Sequence, residues 1–544
     1  MTSPDDDRVV ALSRVDGREV HRISVRGGPE QLAWVGDRLV VTHGMDREVS
    51  VIDPSADDAL AEIDRVALPC GSSAGIVAID TETAAVACPH DERVLELSVS
   101  SREVIAHDVA GRPTGLARRE GTLFVAAARG HVASIDLATW TPTGTSGPPL
   151  RVGEAASQLA AITVSDRGGV HAVYQRVELD TDRDRDPARG GYGAVIDGAP
   201  RIEARVLGPC GDRYVRFDGG PLAMSGPSAI AAEGGLLWIV HQYTDNVLVA
   251  RCDDAGDSRG GTLEVIATFR TGRGPRGIVL AEGGRTAFVD VGFDWAVARL
   301  DVPEERATGV LTPTWTRRRA LGVTSLSANA LRGRSAFFDA VDTHLTPSGV
   351  VTCGTCHPNG GEDGLTWFLH TTGVPRKLRR TPPAWGARTS LAPYHWDGEL
   401  RDAAELARLT THELMEGDGL LVDFDAIAAF MNEVPPPPPR PSEAEPLSRG
   451  RAIFLASGCA DCHVASESDG LVHDVLPASL DPDARLREVN TPSLIAVRTR
   501  APYFHDGRAA TLRDTVTVPD DVHGRTSALS PDQIDDLVAF LESL

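Results

Sequence analysis

The chain has 544 residues, more than a single hydrophobic core supports, so about three domains are expected. Its formal net charge of −23 argues against nucleic acid and anionic membranes as partners, because both repel an acidic surface. A hydrophobic content of 42% is typical of a soluble globular protein. The sequence contains no run of about 18 or more apolar residues, so it predicts no transmembrane helix.

One pattern recurs through the first 320 residues. Each copy has a Pro turn, a short apolar run, a Gly turn, a second apolar run and a strand-like segment that often ends in Asp. Clear copies begin at Pro29, Pro113, Pro227 and Pro275, and weaker ones near Gly75 and Ser157. Apolar runs between Gly and Pro turns predict strands, and a period of about 40–50 residues is typical of propeller blades. Residues 1–320 are therefore predicted to form an all-β propeller of about seven blades.

Half of the eight cysteines lie in this propeller region. They are Cys70, Cys88, Cys210 and Cys252. An even number is compatible with two disulfides, and buried free thiols are the alternative.

The Pro, Gly and aliphatic pattern of residues 1 to about 315 resembles the surface-layer propellers often called YVTN-like.

Two C-x-x-C-H pentads stand in the C-terminal region, at residues 353–357 and 459–463. This pentad is the attachment signal of c-type haem, in which each Cys adds to a vinyl group and the His binds the iron. Zinc would need four ligands at compact spacing, and a redox dithiol would not need the trailing His twice. We therefore predict two covalent haem c groups. The predicted attachment residues and proximal ligands are Cys353, Cys356, His357, Cys459, Cys462 and His463.

A second repeat surrounds the pentads. Each is followed by Thr-Pro, then Pro-Tyr, then Asp-Gly, and finally a helix that ends in Ala-Phe, at an offset of 106–110 residues. The closing helix of the second copy has Ser530 as N-cap and Pro531 at its first position. We predict two all-α cytochrome c domains, residues 325–434 and 447–544, joined by a stiff Pro-rich linker at 435–446.

The paired pentads, the Trp396-Asp397-Gly398 triplet and the segment 501–507 (Ala-Pro-Tyr-Phe-His-Asp-Gly) resemble the bacterial di-haem cytochrome c peroxidase superfamily. The resemblance covers residues 325–544, approximately. It implies two c-haems in facing domains, one passing electrons and one meeting hydrogen peroxide. It also implies that Trp396 relays electrons between the haems, and packing at the domain interface is the alternative role.

The sixth ligand of each haem decides its chemistry, because a strong ligand makes an electron carrier and an open position admits peroxide. For the first haem we favour Met415, with His370 and His395 as alternatives. The second half contains no Met, which departs from the family pattern. His523 is the best candidate there, and His505 is the alternative.

A peroxidase needs a distal group that moves a proton between the peroxide oxygens. The family places a Glu shortly after the Trp-Asp-Gly helix, which makes Glu413 and Glu416 the candidates, and a solvated helix end is the alternative for both. The resemblance also allows calcium between the two domains. However, the family's Asn before the first Thr-Pro is Arg380 here, while Asn490 precedes the second.

We expect a redox enzyme of the peroxidase type that reduces hydrogen peroxide or oxidises a bound substrate, with the propeller docking a protein partner or substrate. The alternatives are a non-catalytic electron carrier and a partner-binding protein whose haems sense redox state. Covalent haem attachment implies a periplasmic or other extracytoplasmic location. Residues 1–7 lack the features of a signal peptide, so a missing leader or a misplaced start is expected.

Overall fold

The computed structural model divides into two compact units. The first comprises Met1–Val177, Pro200–Ser325 and Phe338–Val341, and the second is chiefly Leu326–Phe337 and Asp342–Leu544. None of the described helices is long and apolar enough to cross a membrane. The residues that the structure describes are 1–56, 59–146, 155–178, 202–214, 223–253, 262–307, 309–319, 324–371, 374–386, 392–439, 444–475, 486, 488–518 and 521–544.

The first unit is a seven-bladed β-propeller, as the repeats predicted. Its N-terminal sheet has three strands, β1 (Thr2–Ser3), β2 (Arg8–Leu12) and β3 (Glu19–Ser24). The second sheet has β4 (Pro29–Val35), β5 (Arg38–His43), β6 (Glu48–Ala56) and β7 (Ala59–Ala67). The third has β8 (Ile76–Ala78), β9 (Thr83–Cys88), β10 (Arg93–Ser98) and β11 (Val104–Asp108). The fourth has β12 (Pro113–Arg119), β13 (Thr122–Ala127), β14 (His131–Asp136) and β15 (Thr141–Ser146).

The remaining three sheets follow the same antiparallel order. The fifth has β16 (Ala155–Val164), β17 (Val170–Glu178), β18 (Ile202–Gly208) and β19 (Gly211–Tyr214). The sixth has β20 (Pro227–Glu233), β21 (Leu236–His241), β22 (Asn246–Asp253) and β23 (Thr262–Arg270), to which β27 (Val310–Leu311) adds in parallel. The seventh has β24 (Pro275–Ala281), β25 (Thr286–Val291), β26 (Ala296–Asp301) and β28 (Trp315–Arg318).

The hydrophobic core of the propeller lies between neighbouring sheets. Val40 and Val51 of the second sheet, for example, belong to one buried cluster with Val86 and Leu95 of the third. The first strands of successive four-stranded sheets are in contact around the ring, from β4 and β8 to β20 and β24. Neighbouring blades thus bury apolar side chains against each other, which is why one short pattern suffices when it is repeated.

Polar contacts connect the last sheet with the first. Trp295 Nε1 donates a hydrogen bond to a carboxylate oxygen of Asp5 at 3.0 Å. Arg317 Nε donates to the main-chain oxygen of Asp16 at 3.3 Å. These contacts join residues from the two ends of the propeller sequence and so bring the first and seventh sheets side by side.

Of the two possibilities for the four propeller cysteines, disulfides and free thiols, the structure shows disulfides, paired as Cys70–Cys88 and Cys210–Cys252. Their Cα atoms are 6.2 and 5.5 Å apart, within the usual range for a disulfide. The first pair joins the loop after β7 to the end of β9, and the second joins the β18–β19 turn to β22. Each bond thus links two neighbouring blades.

The second unit consists of two cytochrome halves built in the same order. The first has α1 (Ala328–Phe337), α2 (Cys353–Cys356), the hairpin β29 (Thr366–Thr371) and β30 (Val374–Arg380), α3 (Ala403–Glu413) and α4 (Phe424–Glu433). The second has α5 (Ala444–Ala456), the short ladder β31 (Val472–His473) and β32 (Val489–Asn490), α6 (Leu512–Val516) and α7 (Pro531–Glu542). The hairpin and the ladder are additions to the predicted all-helical pattern.

The first and last helices of each half cross closely, α1 over α4 and α5 over α7. A glycine lies at each crossing: Gly333 faces the main-chain oxygen of Ala426, and Gly450 faces that of Asp536. A methyl group at either position would overlap the oxygen. The Arg-Gly-Arg sequence that leads into each pentad therefore has a packing reason for its glycine.

We expect Gly450→Ala to destabilise the second cytochrome half by about 2–3 kcal/mol, because the added methyl meets backbone that cannot move aside. The thermal unfolding midpoint followed at the haem absorption band measures this. Gly121→Ala is the control, since no heavy atom lies within 4 Å of the added carbon. A Gly450→Ala protein as stable as the wild type would contradict the packing explanation.

Candidate haem sites and the interface between the cytochrome halves

The first pentad begins with a short helix that its own neighbours stabilise. Thr352 caps α2, and the side chains and backbone of Thr352 and Thr355 bond reciprocally as a capping box. His357 follows the helix, and its Nδ1 lies 3.0 Å from the main-chain oxygen of Gly361. This bond makes Nδ1 the donor, so Nε2 is the nitrogen available to a metal.

Burial keeps the groups of the first pentad neutral. It lowers the pKa of His357 and raises the pKa of the Cys353 thiol to about 12. A neutral imidazole is the form that binds iron. None of the four pentad cysteines forms a disulfide, so both pentads retain the thiols that haem attachment uses.

The second pentad is held by a left-handed glycine. Gly458 has a φ of 80° and starts the tight turn Cys459–Asp461, and His463 follows it directly after Cys462. His463 Nδ1 lies 3.4 Å from the main-chain oxygen of Glu467. Burial lowers the pKa of His463 to about 4, so its ring is neutral at ordinary pH.

The ring of His523 faces that of His463. Their centroids are 6.3 Å apart and their planes are perpendicular. His523 Nδ1 lies 3.0 Å from the main-chain oxygen of Thr515, and burial lowers its pKa as well. A ring nitrogen lies about 1 Å from its own centroid and binds a metal at about 2 Å, so two imidazoles on opposite sides of one metal have centroids about 6 Å apart. The two thiols and two neutral imidazoles of this half therefore fit a c-type haem.

The two halves exchange equivalent main-chain hydrogen bonds. The N–H of Arg380, which precedes the first Thr-Pro, donates to the oxygen of His505 at 2.6 Å. The N–H of Asn490, which precedes the second Thr-Pro, donates to the oxygen of Trp396 at 2.8 Å. Since Trp396 and His505 hold the same position in the duplicated motif, the interface has approximate two-fold symmetry.

The Asp-Gly turns complete this exchange. Gly507 packs against Thr366 of the first half, and Gly398 packs against Val472 of the second. Both glycines have φ near 70°, a conformation that other residues rarely adopt. The glycines that marked the duplication in the sequence are thus required by the contact between the halves.

Trp396, the predicted relay, lies at this interface. Its Nε1 donates to the main-chain oxygen of Arg380 at 2.7 Å. Its ring meets the His505 ring edge-on, with centroids 6.2 Å apart. His505 is only 1% exposed. The structure therefore brings Trp396 to the shared boundary of the two cytochrome halves.

The predicted distal residues of the first half lie around the end of α3. Glu413 is the last residue of that helix, Met415 follows at 2% exposure, and Glu416 has a φ of 62°. Burial of Met415 suits a haem ligand and a core residue equally, so its role stays a prediction. Of its alternatives, His395 bonds Glu399 through Nδ1 at 2.5 Å, and the side chain of His370 lies outside the described residues.

Sequence reasoning missed a set of buried charges next to the first haem site. Glu362, Asp363 and Arg500 are each less than 10% exposed, as is Arg380. Burial raises the pKa of Asp363 to about 7, although the carboxylate accepts hydrogen bonds from the Leu365 N–H and from Trp367 Nε1. The signal of these charges in the sequence was the pair Glu362-Asp363, which lies between two glycines shortly after the first pentad.

The raised pKa of Asp363 predicts a pH dependence of stability. A carboxyl with a pKa of about 7 when folded and 3.8 ordinarily binds more protons in the folded state between these values. The free energy of unfolding therefore falls as the pH rises from about 4 to 7. We expect Asp363→Asn to flatten this slope in thermal unfolding followed at the haem band, whereas Asp425→Asn on the surface leaves it unchanged. An equal slope in both variants would exclude Asp363 as its source.

The chain is similar to several known proteins. The cytochrome c family model matches residues 447–544. The chain is 47% identical over 275 residues to hydrazine synthase subunit gamma of Kuenenia stuttgartiensis, covering 38% of this chain and 76% of that protein. It is 26% identical over 274 residues to cytochrome c551 peroxidase of Nitrosomonas europaea, covering 39% and 78% respectively. A solved structure of Kuenenia stuttgartiensis hydrazine synthase superposes with a TM-score of 0.44 at 17% identity, covering 55% of this chain and 94% of that one.

These relatives and the cytochrome c match make the protein a c-type haem protein with a redox function. The matched relatives are covered over more than three quarters of their lengths, so the likeness extends well beyond one haem motif. Through its C-terminal part, the chain belongs to the di-haem cytochrome c peroxidase family.

Proposed function

We propose that the protein is a di-haem peroxidase that takes electrons from a donor at one haem and reduces hydrogen peroxide at the other. The observation that supports this most is the position of Trp396 where the two halves meet. Its Nε1 donates to the main-chain oxygen of Arg380, and its ring lies edge-on to that of His505. The overall reaction consumes two electrons and two protons for each peroxide and yields two waters. When bound, haem supplies one-electron redox chemistry and an iron that peroxide reaches.

The two pentads support two haems, of which Cys353, Cys356 and His357 would hold the first. Cys459, Cys462 and His463 would hold the second, with His523 as its sixth ligand. Two imidazoles on one iron leave no position for peroxide. We therefore assign electron transfer to the second half and peroxide reduction to the first, which requires Met415 to be a buried core residue there and not a haem ligand.

Trp396 would carry electrons between the halves. Its indole N–H is satisfied by a main-chain oxygen, and its ring packs beside Leu486 and Val489. Such a ring is held in one orientation, and it gives electrons an aromatic path across the interface. Packing and relay are compatible roles for one side chain.

Glu413 and Glu416 would supply the proton movement that peroxide cleavage needs. Both lie within one turn of the buried Met415 at the end of α3. A positioned carboxyl that protonates the leaving oxygen accelerates such a step by about 10²–10⁴-fold.

The propeller would serve as a docking scaffold for the electron donor or for a substrate. Its buried histidines, His43, His171 and His241, have pKa values that burial lowers to about 4 or below, so they are neutral core residues. The two disulfides in the blades support an extracytoplasmic location, where such bonds persist.

We expect the double variant Glu413→Gln/Glu416→Gln to lose about 10²-fold or more in peroxide turnover, because the carboxyl that moves the proton is gone. Stopped-flow oxidation of a reduced donor by hydrogen peroxide measures this, and the two single variants show which carboxyl acts. Glu405→Gln on the exposed first turn of α3 is the control. Full activity in the double variant would exclude both residues from catalysis.

His523→Ala is expected to convert one of two haems from low spin to high spin, because the variant lacks the imidazole that would hold the second haem together with His463. Electron paramagnetic resonance of the oxidised protein measures the spin states, and pyridine haemochrome counts two haems in both proteins. His344→Ala, at an exposed histidine paired with Asp418, is the control. Unchanged spectra would remove His523 as a ligand. Two low-spin haems that do not react with peroxide in the wild type would favour an electron carrier instead.

A further inference from the structure

We propose that the guanidinium of Arg380 replaces the inter-domain calcium of this family, so that the two cytochrome halves and Trp396 are held in place without a metal ion. The inference deepens the proposed function, on which it rests for the role of Trp396 in electron transfer. It makes Arg380 a positioning residue, and it predicts that the coupling between the haems does not depend on calcium.

The guanidinium bridges the two halves from a buried position. Arg380 is 4% exposed and ends β30. Its Nη1 donates to the main-chain oxygen of Thr381 at 2.9 Å. Its Nη2 donates to the carboxylate of Glu362 and to the main-chain oxygen of Arg500. Glu362 and Thr381 belong to the first half and Arg500 to the second, so one side chain contacts both.

These acceptors are of the kind that calcium takes. Calcium is bound by carboxylate and main-chain carbonyl oxygens, and here one carboxylate and two carbonyls surround a guanidinium. The five N–H groups of arginine satisfy several oxygens at once in a fixed fork. The Glu362 carboxylate, with its side chain only 1% exposed, already has its counter-charge.

A second positive charge lies beside the first. Arg500 donates to the main-chain oxygens of Ser493 and Ile495. Burial, followed by the charge of Arg380, lowers the pKa of Arg500 to about 10. A divalent cation among these oxygens would add repulsion from two guanidiniums to the cost of desolvating itself. The residues present therefore do not fit calcium.

The same residue fixes the backbone around Trp396. The main-chain oxygen of Arg380 accepts from Trp396 Nε1, and its N–H donates to the oxygen of His505. The side chain of Arg380 thus binds Glu362 and the second half, and its backbone binds Trp396 and the second half. Because the side chain anchors Arg380 to both halves, we expect its loss to let the main-chain oxygen that accepts from the indole shift.

The equivalent residue in the second cytochrome half, Asn490, makes different side-chain contacts. Asn490 makes the matching main-chain bond to Trp396, but its side-chain amide donates to the oxygens of Pro393 and His395 at 2.6 and 3.3 Å. A neutral amide suffices there. The charge is therefore specific to the Arg380 side of the approximate two-fold axis, where a buried carboxylate needs a cation.

The experiment uses the full-length protein with both haems and measures the rate of electron transfer between them after reduction of one. We expect the wild type to keep the same rate and thermal unfolding midpoint after dialysis against EGTA and after adding calcium. Arg380→Gln is expected to lower the thermal unfolding midpoint by roughly 10 °C. At a temperature that lies 20 °C below the variant's own midpoint, where it is folded, we expect electron transfer between its haems to be at least tenfold slower than in the wild type. Arg449→Gln, which removes an exposed ion pair with Asp536, is the control and leaves both values unchanged.

A wild-type protein that loses rate or stability in EGTA and regains it with calcium would overturn the proposal, as would an Arg380→Gln protein with wild-type coupling. The chelator arm needs no variant, so it decides even where Arg380→Gln fails to fold. Ultraviolet resonance Raman of the Trp396 indole, identified by difference from Trp396→Phe, reports a weakened N–H hydrogen bond in Arg380→Gln. None of these readouts uses peroxide, so a lack of peroxidase activity would refute the proposed function alone.

Discussion

The exchange of main-chain hydrogen bonds between the two cytochrome halves is the interaction on which the haem-binding unit depends. Arg380 donates to His505, and Asn490 donates to Trp396, each from the residue before a Thr-Pro. Because these bonds are made by backbone, any sequence that keeps the loop shape can make them. The duplication therefore provides a symmetric frame, and the side chains at equivalent positions are free to differ in chemistry.

Those differences distinguish the two halves. On one side of the interface an arginine balances a buried glutamate, and on the other a neutral asparagine bonds main-chain oxygens. Trp396 and His505 occupy equivalent positions, yet one is an indole and the other an imidazole, and their rings touch. A symmetric frame with unlike side chains would allow the two halves to take the different roles that we propose, one transferring electrons and one meeting an oxidant.

Burial governs the chemistry of the ionisable groups throughout the molecule. It keeps the pentad histidines neutral, which metal binding requires, and it raises the pKa of Asp363 to about 7. A buried charge survives only where a partner offsets its desolvation, as Arg380 does for Glu362. The propeller follows a simpler rule, since its core lies between blades and neutral side chains fill it.

Much of this architecture was determined by local sequence alone. Haem attachment needs five contiguous residues, the blades need only a short repeated pattern, and the paired Gly398 and Gly507 revealed the duplication, so all three were readable without coordinates. The sequence also made His523 the best distal candidate of the second half, and its ring faces His463 in the structure. Only the tertiary structure joined Arg380 to Glu362 and Arg500. These partners come from separate segments, and their meeting depends on how the chain folds back and which charges become buried. Spacing along the sequence carries no record of either.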